Sequence, residues 1–185
     1  GPSPFDNKRT EIFLLGCNKA MLGNPCKGCF NSQLWDSSRA EFDHSVDEIV
    51  ERMVIYSPNK YVTIGGGEPT DQVKGLIELC KKLKLKGFHI MVYTWRSLKG
   101  IFKGVYPQDI QTTLQVAEMQ NNFKELLANI DILVDGPFVL EERLYQENSD
   151  DGLFNSVGSG NQIVWDVRTF NKTNVLEGYA MRDLD

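Results

Sequence analysis

Three cysteines crowd into one short stretch near the start of the chain. Cys17, Cys26 and Cys29 have the spacing C-x8-C-x2-C and follow an apolar run that ends at Gly16. Three thiolates on one loop form a soft-ligand site suited to an iron–sulfur cluster or to zinc. A chain of 185 residues has room for a proper core without cross-links. The spacing therefore predicts a metal centre rather than a disulfide framework.

A structural zinc site needs a fourth ligand, and the remaining candidates are Cys80, His44 and His89. Cys80 falls on the apolar stripe of a predicted helix, where a cysteine behaves as a small buried hydrophobe. His89 lies inside a predicted buried strand, and His44 directly precedes a helix cap at the surface. Three ligands without an evident fourth is the better description, and in a 4Fe–4S cluster this leaves one iron able to hold an exogenous molecule.

The elements that must position this loop alternate between strands and helices. The apolar runs predict strands over 12–15, 61–64, 88–93, 130–134 and 162–167. Helical spacing predicts helices from 46, behind a Ser45–Glu48 capping box, from about 72, and over 114–128. This order is typical of an α/β fold with parallel strands. Since a complete (β/α)₈ barrel needs about 250 residues, we expect a partial, open barrel or a curved sheet, with the site at the carboxyl ends of the strands.

Composition restricts the class of partner. The net charge of −5 argues against nonspecific nucleic-acid binding. No apolar run approaches the length of a membrane helix, and we expect a cytoplasmic protein. One domain is expected over 1–185, with a cloning remnant and flexible N-terminus at 1–9 and a C-terminal extension at 168–185. The basic run 81–86 is interpreted as a solvated helix end, with an acidic partner as the alternative.

The ordered set of motifs resembles the radical S-adenosylmethionine superfamily and, within it, the activating proteins of anaerobic ribonucleotide reductases. The resemblance covers about 10–167, and it departs from the family pattern C-x3-C-x2-C by a longer first gap that includes Met21–Pro25. The motifs that carry it are Leu15-Gly16-Cys17, Pro25-Cys26-Lys27-Gly28-Cys29-Phe30-Asn31, Trp35, Gly65-Gly66-Gly67-Glu68-Pro69-Thr70, Val92-Tyr93-Thr94-Trp95, Leu133-Val134-Asp135-Gly136-Pro137-Phe138 and Gly158-Ser159-Gly160-Asn161-Gln162.

The resemblance implies a 4Fe–4S cluster on the three cysteines and reductive cleavage of S-adenosylmethionine to a 5′-deoxyadenosyl radical. The implied substrate is a glycine Cα–H on the large subunit of an anaerobic ribonucleotide reductase, and the implied electron donor is a protein such as flavodoxin. No role for nucleic acid or membrane is expected. The stretch 96–122 is longer than in compact relatives, and it is interpreted as facing the partner.

Individual residues receive roles from the same resemblance. Gly65, Gly66 and Gly67 let backbone groups approach the cofactor closely, and Glu68 is expected to accept hydrogen bonds from its amino group. Gly28 and Phe30 are expected at the adenine, and Thr94 at the ribose or carboxylate. Each has a plainer alternative: a strand-to-helix turn for 65–68 and a core position for Phe30. Asp135 and the stretch 158–162 remain open between a site role and a loop role.

Three other functions compete with this interpretation. Within the superfamily these are a different glycyl-radical activase and an enzyme similar to 7-carboxy-7-deazaguanine synthase. From another class, a noncatalytic zinc-binding interaction module fits the cysteines. Hydrolysis is disfavoured because the chain has only two histidines and no Gly-x-Ser-x-Gly elbow, and a Walker phosphate loop is also lacking.

Overall fold

The computed structural model describes residues 8–39, 43–103, 112–144, 157–167 and 177–180. Within them the strands are β1 Thr10–Leu14, β2 Tyr61–Gly66, β3 His89–Tyr93, β4 Ile132–Asp135, β5 Ile163–Asp166 and β6 Glu177–Ala180. The α-helices are α1 Asn18–Met21, α2 Val46–Tyr56, α3 Val73–Leu85, α4 Leu98–Lys103 and α5 Thr113–Leu127. Short 3₁₀ turns lie at Ser32–Leu34, Ser37–Arg39, Pro69–Gln72 and Leu140–Glu142.

The six strands form one open sheet whose order, β1-β2-β3-β4-β5-β6, is the order of the chain. Neighbours from β1 to β4 are parallel, and β5 and β6 are antiparallel to their neighbours. The α/β class with an unclosed sheet is therefore confirmed. The antiparallel direction of β5 and β6 corrects the expectation of parallel strands throughout: a parallel connection must run back along the sheet, usually as a helix, whereas an antiparallel one needs no such crossover. The described residues between β4 and β5 contain only the 3₁₀ turn at Leu140–Glu142.

Two helices begin where the sequence places a cap. The Ser45 hydroxyl accepts the Glu48 N–H at 3.2 Å at the start of α2, which is one half of the predicted capping box, while the Glu48 carboxylate lies 3.1 Å from the His44 ring. At the start of α5, Thr112 and Gln115 form a reciprocal capping box. These caps fix where each helix leaves its preceding loop, and therefore which face it turns toward the sheet.

The main core lies between one face of the sheet and helices α2, α3 and α5. The predicted apolar stripe of α3 turns into it, with Leu76, Ile77 and Cys80 buried and Val73 partly buried. They meet alternate residues of the strands, among them Val62 and Ile64 of β2. Cys80 is 0% exposed, as its place on the stripe predicted.

A smaller cluster occupies the opposite face of the sheet, over β3, β4 and β5. It consists of Met91, Ile132, Val134, Val157 and Val164. This cluster covers only the strands β3 to β5, so the same face of the sheet has no hydrophobic layer over β1 and β2. That uncovered face carries the candidate site.

The basic run at the end of α3 is engaged in ion pairs. Lys81 pairs with Glu125 and Lys82 with Asp47, while Lys84 reaches Asp131. These contacts favour the solvated helix end over an acidic partner. Across the residues that the structure describes, no helix combines the length and apolar character needed to cross a bilayer.

Some sequence predictions fall partly outside the described residues. Of the proposed C-terminal extension 168–185, only β6 is described, and it pairs with β5. Of the stretch 96–122, α4 and the start of α5 are described, and 104–111 lie outside.

Candidate metal and cofactor site

A cavity of about 460 Å³ lies on the uncovered face of the sheet and under the loops that follow β1, β2 and β3. Alternate strand residues form its floor, because side chains of a strand alternate between the two faces. The register sets Glu11 beside Thr63 and Phe13 beside Gly65. The strands contribute the wall residues Glu11, Phe13, Thr63, Gly65, Gly66, Met91 and Tyr93, and Arg9 directly before β1 adds to them.

All three loop cysteines line this cavity. The longer gap after Cys17 is taken up by one helical turn, α1, in which the Met21 N–H donates to the Cys17 carbonyl at 3.0 Å. Gly23 follows with a φ of +90°, a conformation that favours glycine and reverses the chain. The extra residues are thus absorbed as a compact turn, and Cys26 returns to the wall that holds Cys17.

Backbone hydrogen bonds fix the loop to its surroundings. The Cys17 N–H donates to the Trp35 carbonyl at 2.9 Å, and the Glu68 N–H donates to the Gly16 carbonyl at 2.7 Å. Further along, the Asn31 N–H donates to the Cys29 sulfur at 3.4 Å. The Asn31 side chain reaches the Gly66 carbonyl at 3.2 Å, so the cysteine loop and the glycine turn are joined.

The three thiols are free and partly buried. Burial raises the pKa of Cys17 to about 11, and the nearby carboxylates of Glu68 and Asp71 add to the rise. Burial also raises the pKa of Cys26, against the opposing effects of a Phe138 backbone hydrogen bond and the Lys19 ammonium. Thiolates at these positions therefore need a positive centre beside them, which a bound metal provides.

The donor set fits an iron–sulfur cluster. Among the described residues, no group of three or more His, Cys, Asp or Glu side chains is placed to hold a metal ion. Each thiolate ligand of a cluster binds its own iron, so the ligands need not converge on one point. Three soft ligands around an open cavity satisfy that requirement.

The three consecutive glycines differ in what surrounds them. A Cβ at Gly66 would lie 2.3 Å from the Leu14 carbonyl oxygen, and one at Gly67 would lie 2.2 Å from the Gly16 carbonyl oxygen. A Cβ at Gly65 would meet no atom within 4 Å. Gly66 and Gly67 are thus required for the close packing of the turn on the β1 end, and Gly65 leaves open space inside the cavity.

Glu68 is 1% exposed, and its carboxylate binds the protein itself. It accepts the Thr70 N–H at 2.8 Å, the Trp95 N–H at 2.7 Å and the Thr94 hydroxyl at 3.0 Å. Burial raises the pKa of this carboxyl, while the Thr70 hydrogen bonds and the Arg96 guanidinium oppose the rise. Glu68 therefore ties the end of β2 to the end of β3 and presents Thr94 at the cavity wall.

A buried ion pair lies next to the Glu68 hydrogen bonds. Arg96 and Asp71 are 4% and 8% exposed at their side chains, and their atoms lie 2.7 Å apart. The other oxygen of Asp71 accepts the Asn18 N–H at 2.7 Å. The segment after β3 thus holds the residue next to Cys17, a connection that no sequence motif announced.

Aromatic residues close the cavity on the side of Cys29. Phe30 is 56% exposed, lines the cavity and contacts Phe138 with ring centroids 4.8 Å apart. The Arg143 guanidinium lies 5.1 Å from the centre of the Phe30 ring. Gly28, in contrast, is absent from the wall: its φ is +75°, and a Cβ there would meet Leu140 at 3.0 Å. Of the residues predicted for the site, Gly28 is therefore the one that the structure leaves outside the cavity.

The stretch 158–162 and Asp135 both form internal hydrogen bonds near the cavity. Gln162 lines the cavity, and its side-chain oxygen accepts the Gly158 N–H at 2.7 Å, so the stretch 158–162 is held as a loop. Asp135 accepts the Leu98 N–H at 2.7 Å and is 2% exposed, beneath the cavity wall. Phe13, Thr63, Met91 and Tyr93 were missed, although the alternation of their strands would have aligned them.

The alternative ligands lie elsewhere. Cys80 is in the core on the other face of the sheet. The His44 ring lies 3.1 Å from Glu48 at the surface. His89 is at the start of β3, in contact with Arg9 at 3.1 Å. Arg9 itself lines the cavity and donates to the Thr63 hydroxyl at 2.9 Å, so its side chain is part of the cavity wall.

Comparison with known proteins places the chain. Residues 7–165 match the family described as a 4Fe-4S single cluster domain, and the chain belongs to this family. It is 25% identical over 167 residues to the anaerobic ribonucleoside-triphosphate reductase-activating protein of Haemophilus influenzae, covering 86% of this chain and 88% of that protein. The protein of the same name from Vibrio cholerae is 25% identical over 164 residues, or 84% and 86% of the two chains.

A shorter part of the chain is similar to a different activating enzyme. Over 74 residues the chain is 34% identical to the pyruvate formate-lyase-activating enzyme of Staphylococcus epidermidis, covering 37% of this chain and 30% of that protein. No solved structure is significantly similar to the chain.

Proposed function

We propose that this protein is a radical S-adenosylmethionine enzyme that activates an anaerobic ribonucleotide reductase. It transfers a hydrogen atom from a glycine Cα of the reductase to the 5′ carbon of a deoxyadenosyl radical, leaving a glycyl radical on the reductase. The observation that carries the proposal is the shared cavity of Cys17, Cys26, Cys29 and the glycine turn. Relatives named as activators of this reductase align with more than four-fifths of the chain.

Cys17, Cys26 and Cys29 would hold a 4Fe–4S cluster. When bound, the cluster supplies the electron that converts S-adenosylmethionine into methionine and the deoxyadenosyl radical. Gly65 leaves space for the cofactor at the end of β2, and Glu68 positions the Thr94 hydroxyl and the Trp95 backbone around it. Phe30, 56% exposed at the wall, offers a flat apolar surface suited to a purine.

The finer fold assignment is part of this proposal. Four parallel strands with helices on one face and an open cavity on the other suggest a partial (β/α) barrel, folded as one domain over 1–185. Because β1 lies at an edge, the cavity is accessible beside Glu11 and Phe13, and Phe13 is 51% exposed. An entrance of this kind suits a loop of a large protein substrate.

The remaining partners are proposed on chemical grounds. A one-electron donor such as flavodoxin must reduce the site before each cleavage. The cytoplasm is the proposed location, because free thiolate ligands persist where thiols are kept reduced.

Low-temperature EPR on anaerobically reconstituted, reduced protein tests the proposal. We expect a 4Fe–4S signal that changes when S-adenosylmethionine is added, and a glycyl-radical signal when the reductase is added as well. A cluster signal that ignores the cofactor would reject the enzyme. Colourless protein that retains about one zinc and no iron would support the zinc-binding module instead.

Alanine variants test the ligand set. Cys17→Ala, Cys26→Ala and Cys29→Ala should each lose the 4Fe–4S absorbance and most of the iron, because each removes one of three thiolates. Cys80→Ala is the matched control and should retain iron, since Cys80 is buried in the core. Equal loss of iron from the Cys80→Ala protein would contradict the three-ligand assignment.

A second candidate, activation of pyruvate formate-lyase, is favoured by the higher identity of the short match. Incubation of the reduced protein with each partner in turn distinguishes the two. A glycyl radical only on pyruvate formate-lyase would transfer the assignment to that enzyme.

A further inference from the structure

The additional helical turn between Cys17 and Cys26 is closed by one side chain. The Lys19 ammonium donates a hydrogen bond to the Asn24 carbonyl. The Asn24 N–H donates in turn to the Lys19 carbonyl at 3.1 Å. These two residues therefore join both ends of the turn and determine the direction in which the chain continues to Cys26.

The same ammonium also reaches the cavity wall. It lies 5.7 Å from the centre of the Trp95 ring, a geometry that allows a cation–π attraction. Trp95 is fixed in place, because its backbone N–H donates to the buried Glu68 at 2.7 Å. Lys19 thus connects the lengthened loop to the segment that follows β3.

Among the described residues, no carboxylate forms an ion pair with the Lys19 ammonium. Its contacts there are a neutral carbonyl and a neutral ring. The charge of Lys19 therefore lies at the cavity wall, because Trp95 lines the cavity.

We propose that Lys19 is a positioning residue that closes the lengthened cysteine loop and keeps a positive charge beside Trp95 at the cavity wall, favouring the reduced state of the centre. Its electrostatic part rests on the proposed function, since it requires a cluster on these cysteines. Reduction adds one negative charge, and a nearby cation stabilises the more negative state. The lysine would thereby support electron uptake by the cluster.

Two measurements on the reconstituted protein separate the geometric and electrostatic parts. Hydrogen exchange of the amides at 22–24 reports whether the turn is closed, and an EPR-monitored redox titration reports the midpoint potential. Lys19→Met should speed this local exchange by about tenfold or more and shift the potential to a more negative value. Lys19→Arg, which keeps the charge and length, should retain most of both properties. Lys86→Met removes one positive charge from the exposed end of α3 and should change neither.

Each result decides a part of the proposal. Exchange and potential equal to the wild type in Lys19→Met would overturn it. A faster exchange without a shift in potential would reject the electrostatic part, and a shift of the same size in Lys86→Met would show that net charge alone is responsible. If the wild-type protein binds no cluster, the proposed function and the electrostatic part fail, while the exchange measurement still decides loop closure.

Discussion

A methyl group added at Gly65 would enter the cavity and meet no atom within 4 Å. Gly65→Ala should therefore fold normally, with a free energy of unfolding within about 1 kcal/mol of the wild type. The methyl would occupy space proposed for S-adenosylmethionine, so its dissociation constant should rise by about tenfold or more. Equilibrium binding to the reconstituted protein measures this. Unchanged affinity would place the cofactor elsewhere in the cavity.

Gly67 provides the matched comparison two positions along the turn. A Cβ there would lie 2.2 Å from the Gly16 carbonyl oxygen, a contact that only backbone movement can relieve. Gly67→Ala should lower the free energy of unfolding by about 1–3 kcal/mol or more. Urea denaturation of the two variants side by side distinguishes a space-filling effect from a folding effect.

Asp135 gives the protein a distinct pH dependence. Burial raises the pKa of this carboxyl from 3.8 to about 6, so the folded state holds its proton more tightly than the unfolded chain. Its contribution to stability is therefore present below about pH 4 and is lost as the pH rises through about 6, a loss of about 3 kcal/mol. Asp135→Asn should remove this loss. The difference in unfolding free energy between variant and wild type, followed from pH 4 to pH 7.5, should favour the variant increasingly with pH, and a constant difference would contradict the assignment.

The sequence predicts cavity residues where their chemistry depends on residue type and spacing alone. The cysteines and Gly65–Gly67 were found in this way, and all of them line the cavity. The structural use of Glu68 was not readable, because its donors at Thr70, Thr94 and Trp95 come together only when β2 and β3 pair. Gly28 stays a prediction: it does not line the cavity, and its positive φ and the nearness of Leu140 favour glycine there for packing reasons as well.

Between elements, the Arg96–Asp71 pair joins the segment after β3 to the turn after β2. Both side chains are more than nine-tenths buried, so removing one leaves the other charge without its partner. Arg96→Met should lower the free energy of unfolding by about 3–5 kcal/mol. The same variant should weaken the hydrogen bond from the Asn18 N–H to Asp71, because Arg96 no longer fixes the Asp71 carboxylate.

An exposed ion pair serves as the control for this prediction. Lys81 and Glu125 connect α3 and α5, and each side chain is 49% exposed. Lys81→Met should leave the free energy of unfolding nearly unchanged. Similar losses in the two variants, measured by urea denaturation, would contradict a special role for the buried pair.

The elements themselves were largely predictable. Periodicity located the helix of Val73–Leu85 and the strands of Tyr61–Gly66 and His89–Tyr93 to within a few residues. The direction of β5 was not predictable, since strand orientation depends on the connection and not on the residues of the strand. Strand alternation does not predict which face of the sheet stays uncovered. Here the small apolar cluster around Ile132 and Val164 covers one face only over β3, β4 and β5, and leaves the rest of that face open.

For the whole molecule, binding of S-adenosylmethionine should raise the stability of the folded state. Cofactor bound in the cavity contacts the loops after β1, β2 and β3 together, so binding must favour the folded state. At about one hundred times its dissociation constant, S-adenosylmethionine should raise the midpoint of thermal unfolding of the reconstituted protein by about 5–10 °C. Protein reconstituted with Gly65→Ala should show a smaller rise at the same concentration. No rise in the wild type would contradict binding in this cavity.

The agreement between strand order and chain order also bears on synthesis. Among the six described strands, each one after β1 finds its sheet neighbour already made as it leaves the ribosome, and none has to insert between two others. The residues that hold Gly16, Cys17 and Asn18 in place are Leu34, Trp35, Glu68 and Asp71, followed by Arg96. The anchoring of the first cysteine is therefore complete when about half of the chain has emerged, and metal delivery can begin on a nascent protein whose last strands are still to be translated.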